Sequence, residues 1–306
     1  MNALTVDLQG GLLSGSGTVT GNVLNGAAID VGGMDSTGTL TITRNYEQTA
    51  TGVLNIELGG TARDEFDQLV TNSSSGNQAA LFAGTLNIGL IDGTTLTAND
   101  TLNVVVYDGE VSGDFSQTNG LDIGGGLVLQ KEFTGTALTL TAVPALHLDG
   151  RLDSPTFATP ITQDLVQPVL ATAIEHLLAA GLPATAAAVL QQTEIVMVDL
   201  PGTALATAVG NRILLDVTAA GAGWFVDLTP DDDLEFDIRN GTLTATQGPA
   251  SRYVDLLTVL AHELAHLLGA EHDVHGLEEI LRWGQRRVPH GLAVDAYFET
   301  LGLGHS

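Results

Sequence analysis

Residues 262–272 read H-E-L-A-H-L-L-G-A-E-H, and their spacing is that of a metal site. Helical residues four apart lie about one turn along the axis and about 40° around it. His262 and His266 therefore project from one face toward one point. Gly269 tolerates positive φ and ends the helix, which turns the chain back and brings His272 to the same point. Three neutral imidazoles make an open zinc site with a fourth position for water. Zn²⁺ suits such a set better than Fe or Mn, since no carboxylate ligand is implied. Glu263, beside the first histidine, is placed to take a proton from that water and later return one to a leaving amine. The reaction expected is hydrolysis of a peptide bond, with a protein or peptide as substrate.

Such a site needs a helix beneath it. Residues 251–268 supply one, with Ser251 as the N-cap and Gly269 just past the end. Leu165, Val166, Val169, Leu170, Ile174, Leu177 and Leu178 form an apolar stripe that predicts a helix over 163–180, stopped at Gly181-Leu182-Pro183. Strand-like segments follow at 195–200, 212–217 and 224–228. The order helix, strands, helix indicates an α+β domain over 161–306. Ahead of it, residues 144–160 hold three prolines and read as a linker.

Residues 1–143 follow a different rule. Leu40/Ile42, Leu54/Ile56/Leu58, Leu86/Ile88/Leu90 and Leu102/Val104/Val106 alternate with polar residues, the period of a half-buried strand. A loose repeat begins at Gly38 (GTLTI), Gly52 (GVLNI) and Gly84 (GTLNI), with steps of 14 and 32 residues. This half is an all-β domain, either solenoid-like or a sandwich. All nine prolines fall from Pro144 onward, while 23 of the 37 glycines lie in residues 1–145.

Composition narrows the function. The chain of 306 residues has 36 acidic and 10 basic side chains and a net charge of −26, so it lacks the cations that bind nucleic acid or an anionic membrane. The absence of cysteine excludes disulfides, thiolate zinc sites and a thiol nucleophile. No apolar run is long enough to insert into a membrane, and no signal peptide is visible. Asp231, Asp232 and Asp233, with Asp227, Glu235 and Asp237, offer the hard oxygens that Ca²⁺ takes, though without EF-hand spacing; a solvated acidic loop is the plain alternative. The pair Arg286-Arg287 is too small for a phosphate-binding patch.

The extended motif resembles that of the metzincin metallopeptidases, over roughly residues 160–300. The resemblance implies a zincin fold, with His262, His266 and His272 as ligands and Glu263 as general base. It further implies that Arg212–Asp216 is the edge strand pairing with substrate and that Asp273 lies just outside the ligand set. Metzincins carry a methionine in a turn beneath the metal. The methionines here are Met1, Met34 and Met197, and Leu277 stands where that residue would sit. Leucine supplies an apolar floor of similar volume. Residues 11–143 resemble the autotransporter-associated β-strand repeats of bacterial surface proteins, which implies an extracellular or cell-surface location. The expected chain is thus multidomain. An all-β display domain (1–143) and a linker (144–160) precede an α+β metzincin-like zincin domain (161–306) acting as a secreted or surface zinc endopeptidase. The alternative is a surface or adhesin structural protein whose peptidase domain binds zinc with little activity.

Overall fold

The computed structural model describes residues 4–72, 80–149, 158–179, 182, 184–230, 232–239, 242–268 and 280–287. The chain divides into two compact units, Met1–Val143 and Pro144–Ser306.

The first unit winds as a three-sided parallel solenoid. Its first turn is β1 (Thr5–Leu8), β2 (Leu12–Gly15) and β3 (Gly17–Val19). The second is β4 (Asn22–Asn25), β5 (Ala28–Val31) and β6 (Thr39–Ile42). The third is β7 (Tyr46–Gln48), β8 (Val53–Leu58) and β9 (Gln68–Thr71), and the fourth is β10 (Ala80–Phe82), β11 (Thr85–Leu90) and β12 (Thr101–Tyr107). Strands β13 (Val111–Gly113) and β14 (Gln117–Asn119) begin a fifth turn. Then β15 (Asp122–Gly124), β16 (Leu127–Phe133) and β17 (Ala137–Pro144) close the third sheet, with β17 antiparallel to β12.

Each sheet stacks one strand per turn, so apolar residues of successive turns form rows inside. Ile29, Leu54 and Leu86 make one such row, and Leu40, Leu69 and Val105 another. All six are buried. Outside the second sheet, Ser14, Asp30, Asn55, Asn87 and Asn119 stand in register across five strands. Asn87 donates to Asn55 at 2.9 Å and Asn119 donates to Asn87 at 2.8 Å. A parallel ladder uses every backbone N–H, which agrees with the lack of proline before Pro144.

This stacking explains the irregular repeat. Val53 pairs with Thr85, so the segments beginning at Gly52 and Gly84 are one full turn apart on one face. The segment beginning at Gly38 forms β6, on a different face. A bulge between Asn103 and Val105 resets the alternation, so Val105 rather than Val106 points inward.

The second unit is built on a mixed sheet ordered β19-β21-β20-β18-β26. Its strands are β18 (Leu146–Leu148), β19 (Glu194–Val198), β20 (Ala204–Val209), β21 (Arg212–Asp216) and β26 (Ile280–Leu281). Helices α1 (Gln163–Ala179), α2 (Ala184–Leu190) and α3 (Leu256–Leu267) accompany it, with α3 packed against α1 and β20. Two small sheets complete the unit. One pairs β22 (Trp224–Phe225) with β25 (Val254–Asp255); the other is β23 (Asp237–Arg239), β24 (Thr242–Thr244) and β27 (Gln285–Arg286). The main core joins Val166, Val169, Leu177, Leu205, Ile213, Leu215, Leu257, Leu260 and Leu264. Among the described residues no helix is long and apolar enough to cross a membrane.

The expected fold class is overturned. Among the described residues the protein is mostly β, 44% strand and 14% helical with three helices and many parallel sheets, not the α+β zincin domain anticipated over 161–306. Residues 224–245 are rich in Asp and Thr, whose side chains favour turns and short strands over helix. The sandwich alternative for the first half also fails, because its strands pair in parallel with strands one turn away. Three local expectations change as well. The start of the expected linker is strand β18. Arg212–Asp216 lies between β19 and β20, so both its edges are covered and it is not a substrate-pairing edge. The segment around Pro249–Ser251 is a 3₁₀ turn, and α3 begins at Leu256.

Candidate functional site

Helix α3 carries the first six residues of the motif, His262 to Leu267. Asp255, not Ser251, is its N-cap and accepts from Thr258 N at 3.1 Å and from Thr258 Oγ1 at 2.7 Å. The sequence holds the signal for this, since Asp255 stands directly before the apolar run LLTVLA. Every residue from Leu256 to Ala265 is buried, which fits a helix apolar on nearly all sides.

On its second and third turns, His262 and His266 meet. Their Nε2 atoms are 3.0 Å apart, and the rings, 4.6 Å between centroids, stand at 72°. Two imidazole nitrogens on one tetrahedral zinc, each at about 2.0–2.1 Å, would be roughly 3.3 Å apart. The donor pair therefore fits a single zinc ion with a few tenths of an ångström of adjustment. The same distance also suits one Nε2–H donating to the other ring.

Glu263 is 1% exposed, and among the described residues neither carboxyl oxygen completes a hydrogen bond. Burial drives its pKa up to about 8, opposed in part by the backbone amides of Ala208 and Leu146 on β20 and β18. A buried carboxylate without full hydrogen bonding is costly. The group thus calls for a proton or a neighbouring cation.

A second ionic cluster anchors the start of α3. The buried Arg286 on β27 grips Asp255 with two bonds, Nε to Oδ2 at 3.1 Å and Nη2 to Oδ1 at 2.9 Å. Nη2 also donates to Asp227 at 2.7 Å, and Nη1 donates to Asp233 at 3.1 Å and to the carbonyl of Asp232 at 3.2 Å. The guanidinium carbon lies 4.3 Å from the centre of the Phe236 ring. Asp227 and Asp233, read above as calcium oxygens, here hold an arginine. Burial pushes Asp255 up and Arg286 pulls it down. This network escaped the sequence reading because its members lie up to 59 residues apart.

His272, Gly269, Asp273 and Leu277 lie outside the described residues. Among the described residues no group of three or more His, Cys, Asp or Glu side chains is placed to hold a metal. No family model matches the chain, and no curated protein matches it either.

Proposed function

We propose that the chain is a zinc-dependent endopeptidase of the metzincin type in its site, with His262, His266 and His272 as ligands. The observation that carries this reading is the convergence of two Nε2 atoms on one helix face, next in sequence to a buried carboxyl. A bound zinc supplies Lewis acidity toward a carbonyl oxygen and lowers the pKa of its water toward ~7. The helix holds His262 and His266 with little freedom, so the donor pair is preorganised. Glu263 takes a proton from the attacking water and passes it to the leaving nitrogen. Burial raises that carboxyl's pKa, and a bound zinc would draw it back toward the ionised form that a base needs. The resemblance of residues 11–143 to surface-protein repeats supports placing the activity outside the cell or at its surface.

The test compares zinc-loaded protein with Glu263→Ala and His262→Ala on quenched peptides. Glu263→Ala should keep its zinc and lose roughly 10²–10⁴ in turnover. His262→Ala should lose the zinc as well. Equal turnover by Glu263→Ala and the unaltered chain refutes the mechanism. A second reading, a metal-stabilised structural domain of a surface protein, is favoured by the burial of α3 on all sides and of Glu263 within it. One equivalent of bound zinc with no cleavage of any peptide would select it.

A further inference from the structure

Leu228, Leu234 and Ile238 are 87%, 85% and 79% exposed, three nearly bare aliphatic side chains within eleven residues. Single exposed leucines are ordinary, but clustered ones mark interaction surfaces. The ionic cluster brings these together. Leu228 follows Asp227 and Leu234 follows Asp233, and both aspartates pair with the one guanidinium of Arg286. The two leucines therefore spring from neighbouring points of backbone. Ile238 lies opposite Leu243, which lies opposite Arg286, so two strand spacings, about 10 Å, separate Ile238 from the same arginine. The backbone under the patch is thus held by a buried ion cluster, and a partner has little loop ordering to offset.

The surroundings define the partner. Asp232 and Glu235 are exposed among the aliphatic residues, and the chain as a whole is strongly acidic. Strand β23 sits at the end of its sheet, and Asp237, Ile238 and Arg239 are all exposed. We propose that Leu228, Leu234 and Ile238, with Asp232 and Glu235, form a docking surface for an extended peptide segment that alternates apolar and cationic side chains. The apolar side chains cover the leucines and isoleucine, the cations meet the two carboxylates, and the backbone lies along the edge of β23 that is unpaired among the described residues. This surface is independent of the zinc site.

The experiment measures fluorescence anisotropy of a labelled octapeptide of alternating Lys and Leu, in chelator and on the Glu263→Ala chain, so that cleavage plays no part. The unaltered surface should bind it, and Leu228→Ser/Leu234→Ser should weaken binding at least about tenfold. Because both leucines are solvent-exposed, the unfolding midpoint of that variant should stay unchanged. Glu235→Lys should weaken binding with the fold equally intact. Alternating Lys and Ser should bind at least about tenfold more weakly than the Lys and Leu peptide. Failure of the Lys and Leu peptide to bind, equal binding by the serine variant, or equal binding of an alternating Glu and Leu peptide would each overturn the proposal. So would sedimentation showing a dimer that the serine variant dissolves, since the occupant would then be a second copy.

Discussion

Replacing Arg286 with methionine removes the cation that, among the described residues, pairs with Asp227 and Asp255, whose side chains are 2% and 1% exposed. Methionine keeps much of the volume and the contact with Phe236, so the loss is mainly electrostatic. Removing one partner of a buried ion pair costs about 3–5 kcal/mol, because the other charge is left uncompensated. At about 2–4 °C per kcal/mol for a unit of this size, the second unit should melt about 10 °C lower. The deficit should depend on pH. Burial already raises the Asp255 carboxyl, and Arg286 is the main group opposing it. Without the arginine, the folded pKa climbs further above the unfolded value of about 3.9. A carboxyl raised in the folded state contributes stability below its unfolded pKa and loses it as pH rises through its folded pKa. The deficit of Arg286→Met should therefore be smallest near pH 4 and grow toward pH 8. Trp224 and Trp283 are the only tryptophans and both lie in the second unit, so intrinsic fluorescence during urea unfolding isolates this transition. Adding Asp227→Asn should recover part of the loss at pH 8. A deficit below about 1 kcal/mol, or one that does not change with pH, would refute the reasoning.

Asp67 tests the same linkage in the solenoid: burial lifts it to about 7 although it accepts from the amides of Gly38 and Glu57. Its stabilising contribution should be present below about pH 4 and lost as pH rises through about 7, so the first unit's denaturation midpoint should fall from pH 5 to pH 8; Asp67→Asn should flatten that slope. Gly120 has φ +79°, and a Cβ there would lie 1.9 Å from the carbonyl oxygen of Ile88, whereas Gly124, with φ +73°, has open space. Both alanine variants incur the left-handed penalty of about 1–2 kcal/mol, and Gly120→Ala should cost at least about 1 kcal/mol more on denaturant unfolding followed by circular dichroism. Asn87→Ala should cost about 1 kcal/mol, and more than Asn119→Ala, because the bond from Asn87 to Asn55 is partly buried whereas both bonds of Asn119 are exposed.

How much could be read without coordinates differs between the two units. Strand faces were legible wherever alternation was clean, as at Leu54, Ile56 and Leu58, all inward. Leu90 is exposed although its alternation places it inward, because β11 ends there and β14 of the next turn pairs only with Thr85, Leu86 and Asn87. In the second unit the stripe over 163–180 marks α1 closely. Helix α2 and strand β20 went unread, since short alanine-rich segments such as 184–190 and 204–209 carry weak periodicity. The start of α3 was misplaced by four residues because two capping residues, Ser251 and Asp255, compete; the extended geometry of Val254–Asp255, paired to Trp224–Phe225, decides for Asp255.

The sequence by itself determined what depends on near neighbours. The four-residue spacing of His262 and His266 places two imidazoles on one helical face, and period-two runs divide each strand into an inner and an outer row. Tertiary structure decided what depends on distant partners. It set the parallel stacking that turns steps of 14 and 32 residues into a change of face and a full turn. It also enclosed Arg212–Asp216 within a sheet and left Glu263 buried without a completed hydrogen bond. The acidic loop shows the physical reason most directly. Asp227 and Asp233 look like solvated carboxylates or calcium ligands from their neighbours alone. Only folding brings Arg286, 59 and 53 residues away, to their side and out of water. Local sequence encodes backbone preference and periodicity, but desolvation and charge pairing belong to whatever the fold packs against a residue.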